Sequence, residues 1–379
     1  MAPLDLVAGA RPNFMKLAPV VRALHAAGQL PFRIVHTGQH YDETMTDVFF
    51  EELRIPVPDV YLDVGSGSHG AQTARILERY EAHLLKSRPA ATVVFGDVNS
   101  TVACALAAVK LGVPVVHVEA GLRSFDRTMP EEINRLLTDA VAERLLVSEP
   151  SGLANLRNEG VPESKIRLVG NVMIDTLVDQ LPAARERATA RSLGLSPRGY
   201  GLITLHRPSN VDDPTKLALI VDLLHELARD LPLVFPVHPR TLAAAGRAGI
   251  EEKLARGQDR LICLPPQPYG ANLSLLADAG VVLTDSGGLQ EESTVLGVPC
   301  LTMRENTERP ITVELGTSRL VGNDPERIRG AFAEVLQGRW RQGQAIPLWD
   351  GQAGARVAQE LAAWLAAGPP TERPTLQTA

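Results

Sequence analysis

Three acidic residues in the first half of the chain stand where chemistry could use them. Asp97 lies in Gly96-Asp97-Val98-Asn99-Ser100-Thr101, directly after the apolar run Thr92–Phe95. It reads either as a cap for the helix that follows or as a carboxylate presented to a cleft. Glu119 ends the apolar run Val115–Val118 and opens Glu119-Ala120-Gly121-Leu122-Arg123. A carboxylate at the end of a buried strand is costly unless it is paired, so a functional role accounts for it better than packing does. His117, on the same run, reads as a packed core histidine. Glu131, in Pro130-Glu131-Glu132-Ile133-Asn134-Arg135, sits in a helical first turn, where acidic side chains ordinarily meet the helix dipole. Brought to one sheet edge, Asp97, Glu119 and Glu131 would push each other's pKa values apart, which suits general acid–base work.

Cations and glycines supply the other half of the pattern. Gly9-Ala10-Arg11-Pro12-Asn13-Phe14-Met15-Lys16 is neither a dinucleotide fingerprint nor a P-loop. It does put Arg11 and Lys16 at a helix start, where backbone amides favour anions; the same loop also reads as a turn with solvated basic residues. Leu205-His206-Arg207-Pro208 and Pro236-Val237-His238-Pro239-Arg240 each place a histidine just after a strand, facing a cleft or simply on the surface. Thr284-Asp285-Ser286-Gly287-Gly288-Leu289-Gln290-Glu291-Glu292 is a strand end, a small-residue turn and a helix start. Gly287 and Gly288 let backbone amides approach a phosphate, Glu292 is spaced to accept from ribose hydroxyls, and Arg309 in Thr307-Glu308-Arg309-Pro310 adds charge. No zinc-protease or paired-cysteine motif occurs, so neither a metal nor a cofactor is expected. Acid, base and cations together suggest chemistry on a diphosphate-linked substrate.

The elements that must position these residues alternate regularly. Short β-branched runs at 4–8, 32–37, 92–95, 115–118 and 145–147 are separated by amphipathic runs at 13–27, 71–86, 100–111 and 131–142. The pattern restarts with strands at 202–205, 233–237, 261–264 and 281–284 and helices at 214–227, 271–277 and 289–296. This is the signature of α/β sheets with parallel strands. Two Rossmann-like, doubly wound domains are expected, 1–170 and 171–352, meeting at a cleft, with the boundary just before Leu177–Tyr200, a stretch of little strand character and several charges. A last helix at 353–366 is expected to pack back on the first domain, ahead of a flexible tail at 368–379. In such sheets ligands bind outside the carboxyl ends of the strands.

With 379 residues, 38 Lys+Arg against 44 Asp+Glu and a net charge of -6, the chain has room for two domains and lacks the cationic surplus that nucleic acid needs. Three unclustered cysteines fit a reducing, cytoplasmic setting, and no apolar run reaches membrane-spanning length.

Taken in order, GARPNFMKLAP, FGDVNSTVA, HVEAGLRSFDRTMPEEINR, LHRPSNVDD, PVHPR and LTDSGGLQEESTVLGVPCLTMRENTERP closely resemble the non-hydrolysing UDP-N-acetylglucosamine 2-epimerase family over residues 4 to about 322. The resemblance implies the two-domain glycosyltransferase-B fold, a UDP-sugar substrate and a homodimer. It implies interconversion of UDP-GlcNAc and UDP-ManNAc by anti elimination of UDP to 2-acetamidoglucal and syn re-addition. Asp97, Glu119 and Glu131 match the family's catalytic carboxylates and His206 its essential histidine. Arg11, Lys16, Ser286, Gly288, Glu292 and Arg309 match nucleotide-binding positions; Gly287 and Arg135 join them as substrate contacts. Gln267 matches a position whose backbone holds the uracil.

Gln39, His40 and His238 are candidates for a second, activating sugar-nucleotide site. Asp42 and Ala71 there replace the glutamine and arginine of bacterial members. The hydrolysing branch has Gly-Asp-Arg and Gly-Gly-Glu where this chain reads Gly96-Asp97-Val98 and Val118-Glu119-Ala120. The Gly-Gln-His-Tyr-Asp and Gly-Ala-Arg-Pro variants are also similar to relatives acting on UDP-2,3-diacetamido-2,3-dideoxy-glucuronic acid. A retaining glycosyltransferase and a non-catalytic UDP-sugar-binding protein are the remaining alternatives.

Overall fold

The computed structural model describes residues 1–38, 50–255 and 260–368. The chain divides into two compact units: Met1–Thr176 with the segment from Pro347 onward, and Leu177–Ile346. The sequence-expected positions Gln39 and His40, and the tail from 369, lie outside the described residues.

The first unit is built on seven parallel strands: β1 (Leu4–Ala8), β2 (Phe32–His36), β3 (Val60–Tyr61), β4 (Ala91–Phe95), β5 (Val115–Ala120), β6 (Arg144–Val147) and β7 (Ile166–Leu168). Their order is β3-β2-β1-β4-β5-β6-β7, with Leu4 opposite both Phe32 and Ala91. Every residue of β1, β4 and β5 is buried, as expected for strands covered on both faces. Ile76, Tyr80 and Leu84 of the His69–Lys86 helix join Ala103 and Ala107 of the Asn99–Lys110 helix in one apolar cluster with Val94 and Val115. The strand order reverses between β1 and β4, so the loops after these two strands diverge and leave a crevice.

The second unit repeats the plan with β8 (Gly201–Thr204), β9 (Leu233–Pro236), β10 (Leu261–Leu264), β11 (Val281–Thr284), β12 (Cys300–Thr302) and β13 (Ser318–Leu320), ordered β10-β9-β8-β11-β12-β13. Here the reversal falls between β8 and β11. Among the described residues no helix is long and apolar enough to cross a membrane.

Several elements differ from the sequence expectation. β3, β7, β12 and β13 are two or three residues long, too short to show a period. The Leu177–Tyr200 stretch, of little strand character in sequence, is helical over most of its first half, within the Val172–Arg187 helix. The helix after β4 begins at Asn99, with Val98 at its N-cap. β5 runs past Val118 to Ala120, and its register with β6 shifts between those residues, a β-bulge centred on Glu119.

The Arg11–Ala27 helix contains Pro19, which has no N–H to give the Met15 carbonyl. The Thr176 hydroxyl takes that carbonyl at 2.6 Å. The Ala353–Ala366 helix packs on the same turn so closely that a Cβ on Gly354 would fall 2.7 Å from the Pro19 oxygen. Its N-terminal amides, Ala353 and Gly354, donate to the Asp175 carboxylate at 3.0 and 2.7 Å.

Gly121 closes the bulge with φ +82°, and a Cβ there would lie 2.5 Å from the Gly152 carbonyl oxygen. Gly121→Ala is therefore expected to destabilise the first unit by more than about 2 kcal/mol, from left-handed strain plus overpacking. A lowered urea midpoint checks this; an unchanged midpoint would contradict the close approach.

Candidate active site

In the first unit the polar groups gather at the carboxyl edge of β1, β4 and β5. Asn13 closes the loop after β1: its Oδ1 accepts from Gly9 and Ala10 N–H at 3.2 and 3.3 Å, and its Nδ2 donates to the Phe95 carbonyl at 2.8 Å. Gly9 is required there, since a Cβ would stand 2.1 Å from Ser100 Oγ. One turn on, Lys16 is 5% exposed, and its Nζ meets Glu119 Oε1 at 2.8 Å. Glu119 is 4% exposed and has φ +72°, a left-handed conformation that a non-glycine residue adopts only under constraint. The bulge turns this side chain toward Lys16 instead of continuing the strand alternation. A Cβ on Gly96 would collide with Lys16 Nζ at 2.4 Å, so the glycine before Asp97 makes room for that ammonium.

Asp97 is paired with Arg135 through Nη1. The same guanidinium binds Glu132 Oε2 through Nη2 at 2.7 Å. Glu132 also accepts from Ser124 and Phe125 N–H at 3.0 and 2.9 Å. Burial would push its carboxyl up, but those amides and Arg135 outweigh it and hold Glu132 below its ordinary range. Asn134 Nδ2 donates to the Asp97 carbonyl at 2.8 Å, so the loop is fixed by backbone as well as by charge. Glu131 is half-buried in the first turn of the Pro130–Val141 helix and meets no side-chain partner among the described residues. Arg11 opens its helix, and its side chain lies outside the described residues.

In the second unit His206 and Asp285 face each other across the β8/β11 switch point. His206 Nδ1 lies 2.9 Å from Asp285 Oδ1, and the same carboxylate accepts from His206 and Arg207 N–H and from Asn210 Nδ2. Burial would raise the Asp285 carboxyl; the His206 imidazole and these amides outweigh it and keep it ionised. Holding Nδ1 leaves Nε2 as the ring nitrogen open to a ligand. His238 caps the Pro239–Ala248 helix, accepting from Arg240 N–H, and its ring centroid is 5.3 Å from that of His206. It is thus a helix cap beside His206 within the second unit.

Ser286 precedes the Gly287–Val295 helix and offers no side-chain cap, leaving its first-turn amides for another acceptor. Arg309 crowds Gly287, where a Cβ would come 2.5 Å from Nη1. Its charge is not bare: Nε binds Glu291 at 2.7 Å and Nη1 binds Glu308 at 2.6 Å. Glu292, 5% exposed, accepts from Tyr269 Oη at 2.9 Å. Burial pushes its carboxyl up to about 7; the Tyr269 hydroxyl offsets part of that and neighbouring Glu291 adds to it. The Gln267 carbonyl is taken by Asn272 Nδ2 at 3.0 Å.

Asp285, Glu132 and Tyr269 were not singled out from sequence. Asp285 alone carried a local signal, an acid directly after a strand. Among the described residues no group of three or more His, Cys, Asp or Glu is placed to hold a metal ion.

A family model described as UDP-N-acetylglucosamine 2-epimerase matches residues 22–362. The UDP-N-acetylglucosamine 2-epimerase of Methanocaldococcus jannaschii is 41% identical over 365 residues, covering 94% of this chain and 98% of that protein. The UDP-2,3-diacetamido-2,3-dideoxy-D-glucuronate 2-epimerase of Pseudomonas aeruginosa is 42% identical over 360 residues, covering 94% and 98%. A crystal structure of the M. jannaschii enzyme in complex with UDP-GlcNAc and UDP superposes with a TM-score of 0.89 at 41% identity, covering 95% of this chain and 99% of that one.

Glu292 generates a pH prediction. Its folded pKa, about 7, stands above the ordinary 4.5, so its stabilising share is complete below about pH 4.5 and lost by about pH 7, a span of about 3 kcal/mol. Hydrogen exchange of peptides from 177–346 should show protection declining over that window, and Glu292→Gln should flatten the decline. An equal slope in both proteins would refute it.

Proposed function

The chain belongs to the UDP-N-acetylglucosamine 2-epimerase family, with the glycosyltransferase-B type of fold, and on that premise we propose that it is a non-hydrolysing 2-epimerase interconverting UDP-GlcNAc and UDP-ManNAc. The observation that carries the proposal is Glu119: a buried carboxylate on a left-handed bulge residue, held by Lys16 at 2.8 Å. Strain of that kind persists where surrounding structure enforces it, and it clusters at reactive sites.

In this reading one carboxylate among Asp97, Glu119 and Glu131 takes the proton from carbon 2 of the sugar. The C1–O bond to UDP breaks, its electron pair leaves on the diphosphate, and a C1=C2 double bond forms. A proton then returns to the opposite face of carbon 2 while UDP adds back to carbon 1. The leaving diphosphate needs positive charge prepared in advance. Arg11, His206 and the amides at Gly287 and Gly288 supply it, with Ser286 and Arg309 beside them. Glu292 accepts from ribose hydroxyls, and the backbone at Gln267 borders the uracil. Arg135 orients Asp97, and Lys16 holds Glu119 in place. A homodimer is the expected assembly.

A second substrate is favoured by a specific observation: identity to the P. aeruginosa diacetamido-glucuronate 2-epimerase is 42%, beside 41% to the M. jannaschii enzyme. The same elimination would act on that sugar nucleotide.

Incubation with each UDP-sugar in deuterated water, read by proton NMR, tests both. The expected result is the carbon-2 epimer carrying solvent deuterium, with UDP not accumulating. Glu119→Gln should slow turnover by at least about 100-fold. Stoichiometric UDP with free ManNAc would replace this reading with hydrolysis, and intact carbon-2 hydrogen would exclude it.

A further inference from the structure

Behind the reactive edge lies a buried charge cluster that the proposed chemistry does not use. Asp139 is 3% exposed in the last turn of the Pro130–Val141 helix. Burial opposes its charge, and so does the negative end of the helix dipole. His117 Nδ1 at 2.6 Å and Arg123 Nη1 at 2.7 Å compensate, and they outweigh burial enough to hold the Asp139 carboxyl below its ordinary range. Arg123 in turn binds Glu159 at 2.7 Å. With the imidazole protonated, the four groups sum to no net charge.

What the cluster touches gives it a purpose. His117 Nε2 reaches the Gly96 carbonyl at 2.8 Å, the residue before Asp97. Asp139 Oδ2 accepts from Gly121 N–H at 3.0 Å, on the far side of the Glu119 bulge. The last ladder bond between β4 and β5 is Gly96 N–H to the Val118 carbonyl, at 3.0 Å. Asp97 and Glu119 both lie just beyond it, where backbone pairing no longer fixes their separation. We propose that His117 and Asp139 are positioning residues for the epimerase reaction, a buried brace from the Gly96 carbonyl to the Gly121 amide that sets the spacing of the carboxylates Asp97 and Glu119. This rests on the 2-epimerase reading above.

The brace is a matter of hydrogen bonds more than of charge, and this separates the variants. In Asp139→Asn the amide oxygen can still accept from Gly121 and Arg123. The amide NH2 can donate to Nδ1 of a neutral His117, whose Nε2–H keeps the Gly96 contact. His117→Phe fills similar space but cuts both ties.

Wild type, His117→Phe, Asp139→Asn and Asp139→Ala are assayed as full-length protein in deuterated water with whichever of UDP-GlcNAc and UDP-2,3-diacetamido-2,3-dideoxy-glucuronic acid the wild type turns over faster, with kcat, KM and thermal unfolding measured for each. The expected result is a kcat at least about tenfold lower for His117→Phe with KM within about threefold, and Asp139→Asn within about threefold of wild type on both. Should His117→Phe fail to fold, Asp139→Ala against Asp139→Asn is judged by the same limits. A His117→Phe kcat near wild type, or Asp139→Asn as slow as the severed variants, overturns the inference. Wild type that puts no deuterium at carbon 2 of either sugar nucleotide overturns the epimerase reading itself, and the inference with it.

Discussion

A carboxylate at the open end of a buried parallel sheet must be met by a positive or hydrogen-donating group from another element, or burial will neutralise it. That requirement organises both units. Lys16 meets Glu119 across 103 residues of sequence; Arg135 meets Asp97 and Glu132; His206 meets Asp285; Arg309 meets Glu291 and Glu308. Three of the cations that sequence alone would assign to a diphosphate are therefore already paired. An anion entering the second unit meets helix amides whose dipoles are fixed, together with side chains whose charge is shared. The formal charge of -6 says little about either site, because reactive charge is balanced locally.

The two sheets use one topology for different ends. In each, the strand order reverses at the centre, and the loops that diverge there carry the polar residues: Gly9–Lys16 with Gly96–Asp97 in the first unit, His206 with Asp285 and Ser286 in the second. The first crevice collects carboxylates with their counter-ions. The second collects an imidazole, an uncapped helix start and a buried acid. Topology decides where a site can form, and loop residues decide what it is.

Much of this is legible in the sequence. Short apolar runs stopping before Gly9, Gly96 and Asp285 mark strand ends to the residue, whereas the runs before Glu119 and His206 miss the end of β5 by two residues and of β8 by one. The pairings were not legible. Asp139 in a helical last turn, Glu132 beside Glu131 and Tyr269 between a proline and a glycine look ordinary in one dimension. Each gains its role from a partner brought close by folding. The helix over Val172–Arg187 was obscured by its charges and by Pro182, and the short strands β3, β7, β12 and β13 were too brief to show alternation. The bulge at Glu119 had one cue, an acid followed by Ala-Gly at a strand end, but positive φ cannot be read from residue type when the residue is not glycine.

The first unit is not contiguous along the chain. Its closing helix, Ala353–Ala366, arrives after the whole of Leu177–Ile346, yet it covers the Pro19 turn of the helix that carries Lys16 and takes its cap from Asp175. During synthesis at ~5–20 residues per second, the ribosome needs on the order of 10–40 s to deliver that helix after Thr176 has been made. Through that interval the first sheet is present while the surface meant for Val357, Leu361 and Trp364 stays uncovered. The order of translation thus makes the C-terminal helix the last piece of the N-terminal unit, and a nascent chain paused near residue 346 presents an apolar face for chaperones to shield.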